Sequence, residues 1–258
     1  LRLDKNINFN WLRKLKTGID FKVIVDHFTF LDRKGDSAAF RLFAKDGEFG
    51  IYNARFYYPD DTIEANFTLN VNGETPFINL VFNTSQELNS AYFSTGVAPG
   101  DEEKTSAEAG AADDTISKPE TAKKQRWSTE LLDMSWMEGI NGSFDITAGK
   151  VVHKDYTFNR VKTKAKLENK LLTFQSLSFL YWQGRCDVTG SLYGGKVPGL
   201  SIGFTLYNGD LQDILKAIVG RESITGKVGV SGTLQTSGVN MLSWLSQADA
   251  KLTIAGRG

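Results

Sequence analysis

Residues 62–71 read TIEANFTLNV and decide the fold class. In this stretch an apolar side chain occupies every second position, at Ile63, Ala65, Phe67, Leu69 and Val71, and polar side chains fill the positions between them. Successive side chains of a β-strand point to opposite faces of a sheet. The period of two therefore predicts a strand with one apolar face and one face open to water.

The same alternation recurs along the chain. In residues 161–168 Val161, Thr163, Ala165 and Leu167 alternate with three lysines and a glutamate, and Leu172, Phe174, Leu177, Phe179 and Tyr181 follow in residues 171–181. Asn169-Lys170 between the two stretches predicts a hairpin turn. Residues 142–146, 202–206, 224–230 and 250–254 continue the pattern. We count about a dozen strands, five before residue 95 and seven after residue 126. Their one-sided alternation favours antiparallel meanders over a buried parallel sheet.

Residues 95–126 break this pattern and divide the chain. They read TGVAPGDEEKTSAEAGAADDTISKPETAKKQR, which is rich in Ala, Gly, Ser, Thr and charged residues and has no aromatic residue. Such a segment cannot bury enough apolar surface to offset the entropy cost of ordering it. We therefore predict an N-terminal β segment over residues 1–94, a flexible linker or disordered loop over 95–126, and a C-terminal β segment over 127–258 that is truncated at its end.

Four short amphipathic helices are predicted, each in front of an alternating strand. Their first residues have side-chain oxygens that can accept a hydrogen bond from a first-turn amide: Asn10, Ser128, Asp210 and Asn240. The third helix has the clearest apolar face and ends at Gly220. That face consists of Leu211, Ile214, Leu215 and Ile218.

The composition argues against catalysis, metal binding and nucleic-acid binding. Thirty basic residues balance thirty acidic residues, so the chain has no long-range field that would attract a polyanion. The residues that usually carry catalysis are few: His27 lies in a strand, His153 in a polar turn, Cys186 in an alternating stretch, and Asp187 beside it has no visible partner. We expect a protein that is not an enzyme and uses no cofactor.

The ends of the sequence suggest an excised piece. The chain begins at Leu1 without a Met or a signal-like apolar region, and it contains no apolar run of the roughly 20 residues that cross a bilayer. We expect any membrane anchor to lie outside this sequence.

Four segments after the linker resemble the C-terminal region of AsmA-like proteins and their bridge-like lipid-transfer relatives. They are LLDMSWMEGINGSFDIT (131–147), VKTKAKLENKLLTFQSLSFLYWQGRCDVTGSLYGG (161–195), GDLQDILKAIVGRESITGKVGVSGTLQTSG (209–238) and NMLSWLSQADAKLTIAG (240–256). The part before the linker, from FNWLRKLKTGIDFKVIVDHFTF (9–30) to FINLVFNTS (77–85), resembles the strand unit that precedes this region. The motifs are patterns of glycine, leucine and alternation and contain no catalytic signature.

The resemblance implies a long, curved antiparallel β-sheet that forms an open apolar groove with a few short helices. It also implies a periplasmic protein of the cell envelope, anchored to the inner membrane, that acts in phospholipid transport between membranes or in outer-membrane homeostasis. The groove would bind phospholipid or another acyl lipid through one face of the strands. The expected lining is Ile63, Phe67, Leu69, Val71, Val161, Leu167, Phe174, Phe179, Ile202, Phe204, Leu206, Val228, Val230, Leu252 and Ile254.

Two other functions remain open from the sequence. A sheet with one apolar face more often packs on a second sheet, so a β-sandwich is the alternative fold. Such a domain could bind carbohydrate through an exposed aromatic residue, for which Trp182 and Tyr193 are the candidates. A structural or partner-binding scaffold in envelope assembly is the other alternative.

The linker hypothesis has a direct test. We expect limited proteolysis of the folded protein to cut first within residues 95–126, because a segment without a packed core is open to a protease. Mass spectrometry of the early fragments identifies the site. Early cleavage within the strands, with residues 95–126 intact, would show that the linker assignment is wrong.

Overall fold

A computed structural model of the protein describes residues 9–30, 33–89, 128–153, 156–220 and 224–257. Twelve strands dominate it, in keeping with the alternation of the sequence. They are β1 (Ile19–Phe30), β2 (Arg33–Lys45), β3 (Glu48–Tyr58), β4 (Asp61–Asn70), β5 (Phe77–Asn89), β6 (Asn141–His153), β7 (Tyr156–Glu168), β8 (Leu171–Tyr181), β9 (Gly184–Tyr193), β10 (Gly199–Asp210), β11 (Lys227–Ser237) and β12 (Asp249–Arg257). The prediction of five strands before the linker and seven after it is confirmed.

All twelve strands form one curved, open sheet in the order of the sequence, from β1 at one edge to β12 at the other. Each strand makes its extensive contacts with its neighbours in the sheet, and the described residues form no second sheet across either face. The β-sandwich alternative is therefore wrong for this part of the chain. Eleven strand spacings of about 4.8 Å give the sheet a length of about 53 Å.

One pair of strands departs from the predicted antiparallel meander. β5 and β6 run parallel, with Phe77 opposite Asn141 and Phe82 opposite Ile146, whereas the other neighbouring pairs are antiparallel. A parallel pair needs a long crossover because the chain must return to the end of the sheet where the first strand began. Residues 90–140 make that return. The predicted linker, 95–126, belongs to it and lies outside the described residues.

The ends of the strands form two margins of the sheet. The first margin holds the turn at residues 46–47, the hairpin turn at Asn169 and Lys170, and the connection 194–198. The second margin holds the turns at residues 59–60 and 182–183. Asn169 and Lys170 have φ angles of 51° and 65°, as both central residues of a type I′ turn require, and the predicted hairpin is confirmed.

The described residues form three short α-helices, two of which begin directly after the predicted capping residue. α1 spans Asn10–Arg13, α2 spans Leu211–Val219 and α3 spans Met241–Ser246. The Asp210 side chain accepts hydrogen bonds from the amides of Gln212 and Asp213, and Gly220 ends α2 with a φ of 70°. Asn240 caps α3 and exchanges hydrogen bonds with Ser243 in a capping box.

The helix predicted at Asn10 forms but its predicted cap is wrong, and the α-helix predicted after Ser128 is absent from the described residues. Asn10 is the first helical residue of α1 instead of its cap, and the capping residue, Phe9, makes no side-chain bond. No α-helix follows Ser128, and only a 3-10 turn forms at Ser135–Met137. The Ser128 hydroxyl accepts from the Glu130 amide, while the Leu132 amide donates to Val239 O. The Ser128 carbonyl oxygen accepts from the Leu242 amide, so both groups of the first helical hydrogen bond, Ser128 O and the Leu132 amide, are bonded to the segment 239–242 instead of to each other.

α1 packs at the first margin through one leucine. Leu12 is completely buried against Ala44 and Val71, and Arg13 Nε donates to Val71 O at 2.6 Å. The neighbouring Trp11 points away and is 59% exposed. The helix is therefore attached to the sheet on one side only.

Replacing Leu12 with Ala should destabilise the protein by about 2–5 kcal/mol, because it removes buried methyl groups and leaves a cavity. Trp11→Ala is the matched control and should change the free energy of unfolding by much less. Urea denaturation followed by circular dichroism measures both. Equal effects of the two substitutions would show that α1 does not pack as described.

Candidate functional site

The strand register separates the side chains into two faces of different chemistry. Residues paired across neighbouring strands point to the same side of a sheet, so a side can be followed from strand to strand. One row crosses the whole sheet in this way. It consists of Phe21, Leu42, Ile51, Phe67, Leu80, Phe144, Ala165, Phe174, Gly190, Ile202, Leu234 and Ala250.

Three more rows run beside this one on the same side of the sheet. Each position in them is apolar or glycine apart from Thr84, Thr163 and Thr236, and no charged side chain occurs in any of the four rows. The Thr163 hydroxyl is buried without a hydrogen-bond partner. We call this side of the sheet the apolar face and the other side the polar face.

All the residues predicted to line a groove lie on the apolar face. β4 and the residue after it carry Ile63, Phe67, Leu69 and Val71; β7 and β8 carry Val161, Leu167, Phe174 and Phe179; β10, β11 and β12 carry Ile202, Phe204, Leu206, Val228, Val230, Leu252 and Ile254. Four of these side chains are buried: Val71, Leu167, Leu206 and Val228. Leu252 and Ile254 on the edge strand β12 are exposed, and the others are half-buried.

The sequence prediction missed the part of the apolar face that β1–β3, β5, β6 and β9 contribute. Alternation is visible in β3 up to Ile51, but a register shift between Ile51 and Ala54 moves the apolar positions by one residue. Asn53 adopts a φ of 51° there, and its amide donates to the Asn66 side chain. A bulge of this kind hides the period of two from a reading of the sequence.

The polar face is covered by hydroxyl, amide and charged side chains. Its ion pairs have N–O distances of 2.6 to 3.2 Å and include Arg41–Asp20, Arg55–Glu64, Lys164–Asp145, Lys166–Glu168 and Arg185–Asp187. Their side chains are largely open to solvent, so each pair adds little stability. These charged side chains make the polar face unsuitable for an apolar ligand.

The polar face contains shallow depressions. One of about 620 Å³ is lined by Lys162, Ser176 and Thr189, and another of about 500 Å³ is lined by Thr205, Ser231 and Lys251. Both are open to solvent, and the side chains that form them project from the polar face. A ligand of the apolar face would therefore lie along an extended surface instead of filling one of these depressions.

The three helices pack on the apolar face and only near its margins. α1 covers the first margin at β2–β4 through Leu12. α2 covers the second margin, where Leu211 and Ile214 contact Leu206 and Val228. α3 lies at the first margin near β11, and Trp244 O accepts from the Thr236 hydroxyl. The central rows of the face lie between these helices.

Aromatic rings pack against one another on the apolar face toward the second margin. Phe28 contacts Phe56 and Tyr58 edge to face, with ring centroids 5.7 and 5.3 Å apart. Phe158 contacts Phe179 at 5.1 Å and Tyr181 at 5.3 Å. Such contacts fix the orientation of large rings that have no second sheet to pack against.

The residues considered for catalysis are not brought together. His27 lies in β1 with a φ of 56°, and His153 is the last residue of β6. Cys186 points to the apolar face, whereas Asp187 points to the polar face and pairs with Arg185 at 2.8 Å. Within the described ranges, no three His, Cys, Asp or Glu side chains are grouped so that they could hold a metal ion.

The two aromatic residues considered for carbohydrate binding lie apart as well. Trp182 is in the turn between β8 and β9, where its ring packs 4.4 Å from that of Tyr181. Tyr193 ends β9 on the polar face and is exposed. They do not form one stacking platform.

Comparison with known proteins does not identify the chain. No family model, curated protein or solved structure matches it. The AsmA-like resemblance therefore stays a prediction. In the part of the chain that the structure describes, no helix is long and apolar enough to cross a membrane.

Cys186 provides a chemical test of the apolar face. Burial, together with a smaller effect of the nearby Asp187 carboxylate, raises the pKa of the Cys186 thiol above its ordinary range. Since the thiolate is the reactive form, alkylation near pH 8.5 should be slower in the folded protein than in urea. Rates from mass spectrometry compare the two states. Equal rates would show that Cys186 is exposed to water.

Proposed function

We propose that the apolar face binds the acyl chains of phospholipids or other membrane lipids and that the chain is a non-catalytic lipid-transfer module. The observation that carries this proposal is the set of four adjacent rows without a charged residue, three of which cross all twelve strands and one of which crosses eleven. A single sheet has no need of so continuous an apolar surface unless something apolar covers it.

The dimensions of the rows suit an acyl chain. Neighbouring rows are two residues apart along each strand, so the four rows together span six residues. At about 3.3 Å per residue, the apolar rows are about 20 Å wide in the direction of the strands. The hydrocarbon of one bilayer leaflet is about 15 Å thick, half of the bilayer core. An acyl chain lying between the two margins thus finds apolar side chains along its whole length, and its headgroup reaches solvent at a margin.

The energetics favour movement as well as binding. Each methylene that leaves water for the apolar face gains about 0.8 kcal/mol. This gain is not directional, and the four rows offer no charged group or ordered set of donors that would fix one position. A lipid can therefore shift from one strand to the next without breaking specific bonds, which is what conduction along the sheet requires.

The cellular setting of this proposal comes from the resemblance to AsmA-like proteins. In this setting the parent protein is held at the inner membrane by a segment outside the sequence, and the sheet extends into the periplasm. Its role would be phospholipid transport between the membranes or outer-membrane homeostasis. The zero net charge fits a module that handles lipid by apolar contact instead of by electrostatic attraction.

Photocrosslinking tests the acyl-chain path. A photoreactive residue at Phe67, Phe179 or Phe204 should capture phospholipid, because these positions lie on the apolar face. The same residue at Thr68, Lys164 or Thr205 should not, because these positions lie on the polar face. Mass spectrometry of the crosslinked protein identifies the lipid. Equal capture from both faces contradicts the proposal.

A pair of adjacent substitutions supplies the matched control. Phe204→Asp places a charge among acyl chains and should abolish binding of a fluorescent phospholipid, whereas Thr205→Asp places the same charge on the polar face and should preserve binding. Circular dichroism verifies that both variants fold. Full lipid binding by folded Phe204→Asp protein would mean that the apolar face is not the binding surface.

A further inference from the structure

The outer edge of β1 is open, because β1 pairs only with β2 in the described sheet. An edge strand has a row of backbone N–H and C=O groups that can pair with a strand of another chain. The described part of the chain before β1 does not cover this edge. Phe9 and Leu12 pack against residues of β2–β4, so the chain enters the sheet away from the open side of β1.

The middle of β1 carries an ordered set of side chains on the polar face. Lys22, Ile24 and Asp26 lie there at intervals of two residues, and Ile24 is 62% exposed. Among the described residues, neither Lys22 nor Asp26 forms an ion pair, and Lys22 lies opposite Arg41, which has the same charge. The edge therefore presents a cation, an exposed apolar side chain and an anion in order, with both charges unpaired.

We propose that β1 pairs antiparallel with β1 of a second copy of the chain, about a two-fold axis that passes through Ile24 perpendicular to the sheet. In this register Ile24 lies opposite Ile24 of the second copy, and Lys22 of each copy lies opposite Asp26 of the other. On the apolar face, Val23 of each copy lies opposite Val25 of the other. Directly opposite side chains have Cβ atoms about 4.5–5.5 Å apart, which is close enough for both kinds of contact.

Other two-fold registers of the same strand are less complementary. An axis at Lys22 or at Asp26 places like charges opposite each other, and an axis one residue before Ile24 places Asp20 opposite Asp26. An axis one residue after Ile24 leaves both charges without an opposite charge. An axis three residues before Ile24 pairs Lys22 with Asp20, whose carboxylate already accepts two hydrogen bonds from Arg41, at 2.6 and 2.7 Å.

His27 limits the length of this pairing. Its φ of 56° breaks the alternation of β1, so that Phe28 joins the aromatic rings of the apolar face although Asp26 lies on the polar face. The straight stretch that two copies can share is therefore residues 22–26. Five residues from each copy bury less than the roughly 1,200 Å² of a stable interface. The dimer is thus reversible, and its population depends on protein concentration.

The symmetry of this dimer preserves the separation of the two faces. A two-fold axis perpendicular to the sheet keeps the apolar faces of both copies on the same side, and the interface is isologous, so the assembly stops at two chains. The rows that contain Val23 and Val25 continue from one copy into the other. Two sets of twelve strands at about 4.8 Å give a joint sheet of about 110 Å.

A charge exchange tests the two-fold register. Sedimentation equilibrium of the wild type should show a mass that rises with concentration from one chain toward two. Lys22→Asp places carboxylates opposite each other at both ends of the pairing and should weaken dimerisation about tenfold or more, since like charges directly opposite are destabilising. Lys22→Asp/Asp26→Lys exchanges the two charges in both copies and should restore dimerisation. Circular dichroism verifies that both variants fold.

The matched control is Lys251→Asp, which changes an exposed lysine on the other edge strand, β12, and should dimerise as the wild type does. A wild type that stays monomeric at every concentration overturns the proposal, as does a folded Lys22→Asp variant that associates normally. Failure of the charge exchange to restore association overturns the two-fold register. Assemblies larger than two chains that Lys251→Asp weakens would show that β1 pairs with β12 of the next copy.

The dimer does not depend on the proposed lipid binding, and the two can fail separately. Phe204→Asp changes the apolar face far from β1 and should leave dimerisation unchanged. Lys22→Asp changes the polar face and should leave binding of a fluorescent phospholipid by the monomer unchanged. Loss of dimerisation in folded Phe204→Asp protein would show that the contact lies on the apolar face and would contradict pairing through the edge of β1.

Discussion

Strand register is the constraint on which the rest of the structure depends. Side chains alternate between the two faces of a strand, so a slip of one residue between any two strands would move every apolar side chain beyond that point to the other face. The sheet instead keeps four rows aligned over eleven or all twelve of its strands, although several strands contain bulges. Its two faces differ in chemistry only because each bulge preserves this alignment.

A sheet with one uncovered apolar face must find its stability elsewhere. Small side chains such as Ala38, Ala54, Ala148 and Ala165 are buried on that face, so neighbouring large side chains close over them. The helices add two compact clusters, one around Leu12 and one around Ile214. The large rings between these clusters keep part of their surface in water, which is an unfavourable arrangement in the absence of a ligand.

Much of the fold was predictable because its signal is local. The number of strands, the turn at Asn169-Lys170 and the caps at Asp210 and Asn240 follow from short patterns with a known physical cause. The parallel pairing of β5 with β6 could not be predicted, because the sequence of a strand does not indicate the direction in which its neighbour runs. The segment after Ser128 was misjudged for a similar reason, because its partners Val239 and Leu242 are more than a hundred residues away. The exposure of large apolar side chains such as Leu131 and Leu245 was not predicted either, because exposure depends on how the whole chain packs.

The parallel step between β5 and β6 also has a consequence for how the chain reaches its native state. Ten of the eleven neighbouring pairs join strands that run in opposite directions, so those contacts can form locally as the chain emerges from the ribosome. β6 must instead find β5 after residues 90–140 have been made, and closing that loop carries an entropy cost that grows slowly with its length. Folding should thus proceed as two growing units, β1–β5 and β6–β12, whose late docking completes the sheet. Until then the inner edges of both units have unpaired backbone groups, which makes this step the one most exposed to aggregation.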